Sequence, residues 1–289
     1  MIMDRVAGAP ISWGVCEVPG WGYQLAAEQV LPQMTEIGLV ATEFGPDGFL
    51  PADAAAKAET LASHGLAAVG GFVPVVLHNP DHDPLPEIDR ELDSFVAAGA
   101  GTIVLAAVSG LDGYDTRPAL DAAGWRTLFG NLDRISARAR ERGVNPVLHP
   151  HIGTMVENRE EVARLLNGSP VPLCLDTGHL LIGGTDPVEL AKAAPDRIAH
   201  AHLKDVDAGL AGRVRTGEIT YTDAVRAGMY RPLGTGDIDI EAIIRTLEAS
   251  GYSGWYTMEQ DTILTGPPEG EGPAADVRAS VAYLRGLGI

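Results

Sequence analysis

Residues 171–206 read VPLCLDTGHLLIGGTDPVELAKAAPDRIAHAHLKDV, and this stretch decides the fold. An apolar run ends in Asp176, an amphipathic stretch follows, and a second apolar run ends in His202, Lys204 and Asp205. Short apolar runs that alternate with amphipathic stretches are typical of parallel strands joined by helices. The segment therefore predicts a strand–helix–strand unit whose polar side chains lie at the carboxyl ends of its strands.

The same alternation continues in both directions and predicts a (β/α)8 TIM barrel, an α/β fold, with residues 1–289 as one domain. The alternative, an open doubly wound sheet, is disfavoured because no G-x-G-x-x-G follows the first strand. The predicted strands are Arg5–Ser12, Val40–Gly45, Ala67–Leu77, Thr102–Val108, Asn145–His151, Val171–Gly178, Ile198–Val206 and Gly254–Asp261. The predicted helices are Gln24–Ile37, Asp53–His64, Leu85–Ala98, Asp121–Arg142, Arg159–Leu166, Pro187–Ala194, Ile240–Ser250 and Ala275–Leu287.

Residues 207–236 depart from this rhythm and form a long excursion after the seventh strand, with a short helix predicted around Thr222–Ala227. Long loops at the carboxyl ends of barrel strands commonly carry function. We expect the excursion to be a place for a partner contact, for example in a homo-oligomer.

Charge and cysteine content exclude several functional classes. The net charge of −18 repels phosphate backbones, so nucleic acid is not expected as a partner. No apolar run reaches about 18 residues, which argues against a membrane span. Cys16 and Cys174 form no C-x-x-C pair, and Met1–Pro10 lacks the apolar core of a signal peptide. We therefore expect a cytoplasmic protein.

Imidazoles and carboxylates concentrate at the ends of strands five to eight. A lone histidine there is usually a hydrogen-bonded structural group, but so many together favour a metal, because buried like charges need a cation. Nitrogen and oxygen ligands suit Mn²⁺, Co²⁺ or Zn²⁺. The candidate site residues at these strand ends, whether as metal ligands or in contact with substrate, are in chain order His149, His151, Glu157, Asp176, His179, His202, Lys204 and Glu259.

Three other strand ends predict substrate contacts. Trp13 could stack on a ring, Glu43 could accept hydrogen bonds from hydroxyls, and His78 could reach the pocket. The structural alternatives are core packing for Trp13, a buried ion pair for Glu43 and a loop contact for His78. Lys204 has two interpretations as well, since it could bind substrate oxygens or pair with a carboxylate.

The motifs D-T-G-H at 176–179 and H-L-K-D at 202–205 resemble those of the xylose isomerase-like barrels, a superfamily of sugar isomerases and epimerases. The resemblance implies metal ligands at Asp176, His202 and Glu259. His149 stands where the family usually has a glutamate after strand five. We expect His149 to be the fourth ligand, with Glu157 as the alternative if the following loop folds back.

A nearer resemblance, over nearly the whole chain, is to the inosose dehydratases of inositol catabolism. It rests on APISWGV at 9–15, TEFGPDGFLP at 42–51 and HPHIGT at 149–154. The resemblance implies a lyase that removes water from 2-keto-myo-inositol (scyllo-inosose) through a metal-stabilised enediolate, giving a trihydroxycyclohexane-dione. It also implies a Mn²⁺ or Co²⁺ cofactor, and glutathione as a further one whose site no residue indicates.

Replacement of the usual glutamate by His149 removes the opposed carboxylate pair that epimerisation needs. A carboxylate base and a histidine acid suit dehydration instead, with Glu259 as base and His151 or His179 as acid. An isomerase or epimerase of a ketose or inosose is the alternative. Few arginines occupy the strand ends, which favours a neutral polyol over a sugar phosphate.

Overall fold

Eight parallel strands close into a barrel in the computed structural model, which describes residues 2–289. This confirms the predicted (β/α)8 class. The barrel strands are β1 (Val6–Gly8), β2 (Ala41–Glu43), β3 (Ala67–Val75), β4 (Thr102–Ala107), β5 (Asn145–Leu148), β6 (Leu173–Asp176), β7 (Ile198–Leu203) and β10 (Tyr256–Met258). The helices are α1 (Ala27–Ile37), α2 (Ala54–Ser63), α3 (Leu85–Ala98), α4 (Ala122–Glu141), α5 (Arg159–Gly168), α6 (Thr177–Ile182), α7 (Pro187–Ala193), α8 (Ala208–Arg215), α9 (Tyr221–Arg226), α10 (Ile240–Ala249) and α11 (Pro273–Gly286).

The strands that bear the polar residues are shorter than predicted. The first strand stops at Gly8, and Pro10–Trp13 forms a 3-10 helix with Pro10 at its first position. Strand β6 stops at Asp176 because its carboxylate caps α6 by accepting a hydrogen bond from the His179 amide at 2.8 Å. The D-T-G-H motif is thus the start of a helix, which the apolar pattern alone did not predict.

Strand register explains why the chemistry collects at one place. Asp176 of β6 lies opposite His202 of β7, and His202 lies opposite Thr257 of β10. Cys174 lies opposite His200, one side-chain repeat deeper. Because side chains two residues apart share a face of a strand, these groups form two layers on one face.

The excursion is a folded cap on the barrel. It opens with β8 (Asp205–Val206), which pairs antiparallel with β9 (Tyr230–Arg231), and it carries α8 and α9. Helix α9, at Tyr221–Arg226, confirms the short helix predicted there. Tyr221, Ala224 and Met229 are buried, so the cap packs on the chain beneath it. Among residues 2–289 no helix combines the length and apolarity that a bilayer span needs.

Asp205 holds both ends of the cap together. Its carboxylate is fully buried and accepts hydrogen bonds from the backbone amides of Val206, Gly234, Gly236 and Ile238 at 2.9–3.0 Å. Buried amides that lose such a partner cost about 1–3 kcal/mol each.

Replacing Asp205 by Ala should therefore lower the free energy of unfolding by about 2 kcal/mol or more, because the buried amides of Val206 and Ile238 and two partly buried glycine amides would lose their acceptor. Urea denaturation followed by circular dichroism measures the change. The control is Asp223→Ala in the same cap, where the exposed carboxylate only pairs with Arg226; its effect should stay below about 0.5 kcal/mol. Equal effects in the two variants would contradict this role.

Candidate active site and metal centre

One cavity of about 290 Å³ opens at the carboxyl ends of the strands. Its wall includes several of the predicted site residues: Glu43, His149, His151, Lys204 and Glu259. The wall also has an aromatic side, formed by Trp21, Phe44, Phe72 and Tyr114. A concave site with apolar walls and a few convergent polar groups is the usual form of a small-molecule site.

The four residues predicted as metal ligands lie together. Asp176 Oδ2 is 3.2 Å from His149 Nε2 and 3.6 Å from His202 Nδ1. His202 Nδ1 is in turn 3.2 Å from Glu259 Oε2. Asp176, His202 and Glu259 each offer one ligand atom, and these atoms all lie within 4.8 Å of one another.

The donor set fits a divalent cation. Four buried atoms of this cluster have no hydrogen-bond partner among residues 2–289: Nδ1 and Nε2 of His149, Nδ1 of His202 and Oδ2 of Asp176. Buried polar atoms without partners are costly, and a cation bound by one nitrogen of His149 together with Nδ1 of His202 and Oδ2 of Asp176 would remove most of that cost. Imidazole and carboxylate ligands suit Zn²⁺, Mn²⁺ or Co²⁺.

Cys174 is close enough to join His149 and His202 as a ligand but is poorly suited to do so. Burial raises the pKa of its thiol to about 11. Since the thiolate is the form that binds metals, a thiol that stays protonated at neutral pH is a weak ligand. The protonated thiol, rather than a difference in distance, is what favours the nitrogen and oxygen set.

Glu43 supports the centre from beneath. Its Oε1 accepts hydrogen bonds from Nε2 of His200 at 2.8 Å and from Nε2 of His202 at 2.9 Å. The bond to Glu43 fixes a proton on Nε2 of His202, so Nδ1 is the nitrogen that faces Asp176 and Glu259 and the one that would bind a metal in the neutral ring. The predicted role of Glu43, binding substrate hydroxyls, differs from this arrangement, because its oxygen is already occupied by two imidazoles.

Lys204 supplies a buried positive charge beside these carboxylates. Its Nζ lies 3.1 Å from Glu259 Oε2, 3.4 Å from Asp176 Oδ2 and 2.7 Å from Asp261 Oδ1. Burial opposes the charged form, but the three carboxylates outweigh burial and raise the pKa of Lys204 well above its usual value. The ammonium therefore stays charged in the neutral range.

The same balance sets the charges of the carboxylates and of His202. Burial would raise the pKa of Asp176 and Glu259, but Lys204 and His202 lower both, so the two carboxylates stay ionised. Burial would lower the pKa of His202, but the neighbouring carboxylates, Glu259 and Glu43 among them, raise it well above its usual value.

His151 and His179 form a stacked pair on the cavity side of Lys204. Their ring centroids are 3.7 Å apart, and His179 Nε2 lies 3.0 Å from Lys204 Nζ. Burial, followed by the charge of neighbouring groups, lowers the pKa of both imidazoles well below its usual value. Burial likewise lowers the pKa of His149. These three rings are neutral at neutral pH.

Three residues expected at the pocket lie elsewhere. Trp13 is fully buried and its Nε1 donates to Gln33 at 2.7 Å, so it packs in the core. Glu157 forms an ion pair with Arg117 at 2.9 Å and accepts from the Gly153 amide, so the loop after β5 does not turn its carboxylate to the cluster. His78 lies past the end of β3 and outside the described cavity wall.

Other polar residues complete the site without having been predicted. Asp261 bonds Lys204 and Tyr221, Tyr221 bonds Tyr230 at 2.9 Å, and Tyr114 donates to Glu17. Asp261 follows Glu259 by two residues, and its place after the last strand was a usable signal. Tyr221 and Tyr230 lie in the short elements α9 and β9 of the cap, far along the chain from Asp261, and no local sequence pattern indicates their contacts.

The chain matches the family model described as xylose isomerase-like TIM barrel over residues 34–287. It is 30% identical over 274 residues to an inosose dehydratase of Geobacillus thermodenitrificans (strain NG80-2), covering 90% of this chain and 91% of the relative. It is 33% identical over 271 residues to the rhizopine catabolism protein MocC of Rhizobium meliloti, covering 89% and 81%. A crystal structure of the IolI protein with a bound zinc atom has the same fold, with a TM-score of 0.71, 16% identity, and 98% and 97% of the two chains covered.

The closed barrel and the His/Asp/Glu cluster at its carboxyl end thus define the class of protein. The chain belongs to the xylose isomerase-like TIM barrel family and, within it, to the relatives of the inosose dehydratases. It is an enzyme of the dehydratase kind, a hydro-lyase.

Replacing Glu43 by Gln should weaken binding of Zn²⁺ or Mn²⁺ by about 10-fold or more, because the carboxylate that holds the His202 tautomer loses its charge. Competition with a chromogenic chelator measures the dissociation constant. The matched control is Glu17→Gln, since Glu17 also lines the cavity but contacts Tyr114 rather than an imidazole of the cluster. Equal metal affinity in the two variants would contradict the role of Glu43.

Proposed function

We propose that this enzyme eliminates water from 2-keto-myo-inositol (scyllo-inosose) and releases a trihydroxycyclohexane-dione. The observation that carries the proposal is the cluster of His149, Asp176, His202 and Glu259 beside the Lys204 ammonium, at the wall of a small-molecule cavity. The inosose dehydratase relatives supply the substrate class. Few cations line this part of the cavity, which fits an uncharged cyclitol ketone.

We further propose that His149, Asp176, His202 and Glu259 hold a divalent metal, Mn²⁺ or Co²⁺, with Zn²⁺ as the alternative that the zinc atom bound to the IolI protein makes relevant. When bound, such a cation acts as a Lewis acid that favours negative charge on a ketone oxygen. The unpartnered atoms of His149, His202 and Asp176 support this ligand set.

Glu259 acts as the base that removes the hydrogen next to the ketone. Its carboxylate lines the cavity, and the charges of His202 and Lys204 keep it ionised against the effect of burial. An ionised carboxylate at the cavity wall can accept a proton from carbon once the resulting enediolate is stabilised.

Lys204 stabilises the negative charge that develops on the enediolate. Its ammonium is 2% exposed and is already oriented by three carboxylates, so little reorganisation accompanies the reaction. Charges fixed in a site that excludes water stabilise a transition state more strongly than the same charges in water.

The proton for the departing hydroxyl comes from the stacked pair of His151 and His179. Both rings are neutral at rest, so the acid must first be protonated. His179 Nε2 lies 3.0 Å from Lys204 Nζ, and a proton passed from the ammonium to Nε2 gives the imidazolium that then protonates the hydroxyl as it leaves. A base on one side and an imidazole acid on another suit elimination. The alternative, an isomerase or epimerase, needs a second base opposite Glu259, and Glu157 is engaged by Arg117.

Loading the chelator-treated protein with Mn²⁺ or Co²⁺ and adding scyllo-inosose should produce a growing ultraviolet absorbance from the enolised dione. Glu259→Gln should lower kcat by about 10³-fold or more, because the base and a ligand are lost together. Glu218→Gln, an exposed carboxylate on the cap, is the control and should leave kcat unchanged.

An inactive metal-loaded wild-type protein would refute the dehydratase proposal. The isomerase alternative is then tested by proton exchange: incubation of candidate ketoses or inososes in D₂O, with deuterium incorporation followed by NMR. Exchange without loss of water identifies an isomerase, and absence of both signals excludes the two activities for those substrates.

A further inference from the structure

The cap at residues 207–236 reaches into the active site through two tyrosines. Tyr221 begins α9 and Tyr230 begins β9, and both are 2–3% exposed. Their hydroxyls lie 2.9 Å apart, and the Tyr221 hydroxyl also donates to Asp261 Oδ2. The ring of Tyr221 faces His179, with centroids 5.8 Å apart.

Asp261 connects these tyrosines to Lys204. Oδ1 accepts from Lys204 Nζ at 2.7 Å, while Oδ2 accepts from Tyr221. The two bonds use opposite oxygens of one carboxylate, so the direction of one constrains the other. The Lys204 ammonium also lies 5.3 Å from the centre of the Tyr230 ring.

Among residues 2–289, the Tyr221 hydroxyl is the one hydroxyl group that donates to Asp261 Oδ2. The nearest imidazole nitrogen, His179 Nε2, is 3.8 Å away. A carboxylate held at one oxygen can rotate, and the ammonium bound to it can then move away from Glu259.

The helix that carries Tyr221 is itself fixed at its start. Its first turn is capped by Thr220, and the Thr222 amide donates to Asp115 in the loop after β4 at 2.9 Å. The hydroxyl of Tyr221 is therefore held in place by the cap and by a second loop of the barrel. A catalytic group keeps a productive geometry only when the residues that support it are themselves held by packing and hydrogen bonds.

We propose that Tyr221 is a positioning residue for the reaction: through Asp261 it aims the Lys204 ammonium at the substrate. The inference rests on the proposed function, in which Lys204 stabilises the enediolate. It assigns to the excursion a role in catalysis, where the sequence suggested a partner contact.

A double-mutant cycle tests the proposal. Tyr221→Phe should lower kcat for scyllo-inosose about 10-fold while KM changes less than about 2-fold, because the lost interaction matters mainly in the transition state. In the Lys204→Met background the same change should lower kcat less than about 2-fold, because the group it positions is absent. Equal effects in both backgrounds would overturn the proposal, since a merely structural tyrosine acts regardless of Lys204.

Tyr252→Phe is the matched control. Like Tyr221→Phe, it removes one tyrosine hydroxyl. The hydroxyl of Tyr252 donates to the Trp255 carbonyl at 2.7 Å, at the opposite end of the barrel, before β10 begins. It should leave kcat and KM unchanged. Metal content of every variant should equal that of the wild type, which separates this role from metal binding.

A second readout is independent of activity. Crystal structures of the wild type and of Tyr221→Phe should differ at Asp261 and Lys204, with the contact of Lys204 Nζ to Glu259 Oε2, 3.1 Å here, lost in the variant. An unchanged Lys204 in the variant would overturn the proposal. Absence of dehydration by the wild type, with Lys204 displaced in the variant, would instead refute the proposed function and leave the positioning role supported.

Discussion

The structure depends on compensation of charge at one buried place. Asp176, Glu259 and Asp261 all lie within 3.4 Å of the Lys204 ammonium, and each is at most 8% exposed. Carboxylates buried this deeply would not stay ionised without an opposing charge. The ammonium lowers the pKa of Asp176 and Glu259, and these two carboxylates lie beside the imidazole nitrogens of the candidate metal centre. The cavity, the cap and the ligand cluster are all arranged around this ion group.

The sequence predicted the fold and the proximity of the candidate metal ligands, because both follow from local patterns. Apolar runs mark the strands, and the residues that end those runs, such as Asp176 and Glu259, must meet at one end of a closed parallel barrel. The same reasoning could not predict Trp13 or Glu157, whose environments depend on distant partners: Gln33 in α1 and Arg117 in the loop after β4. Nor could it predict Tyr221, which lies 40 residues from Asp261 in an irregular segment. The residues at strand ends can thus be predicted from the sequence, whereas the side-chain contacts between distant segments cannot.

The D-T-G-H motif is a structural unit as well as a source of ligands. Asp176 ends β6, caps α6 and offers its second oxygen to the metal cluster. The glycine of the motif has a packing role, because a Cβ atom at Gly178 would lie 2.9 Å from Cβ of Lys204 and 3.0 Å from the ring of Tyr230. The motif therefore brings three parts of the site together: the ligand, the ammonium and the cap. Besides its candidate ligand Asp176, the motif thus requires a glycine at position 178, where the backbone comes close to Lys204 and Tyr230.

The bonds of Asp205 determine where the cap can accept insertions and deletions. Because its carboxylate and the short β8–β9 ladder join the two ends of the cap, the segment between them is closed at its base like a hairpin. Its tip, residues 215–218, is exposed. Closing a flexible loop costs only about 0.6 kcal/mol more for each doubling of its length. Insertions and deletions at that tip therefore cost little free energy, and they can change the surface above the cavity while the His/Asp/Glu cluster at the strand ends keeps its position.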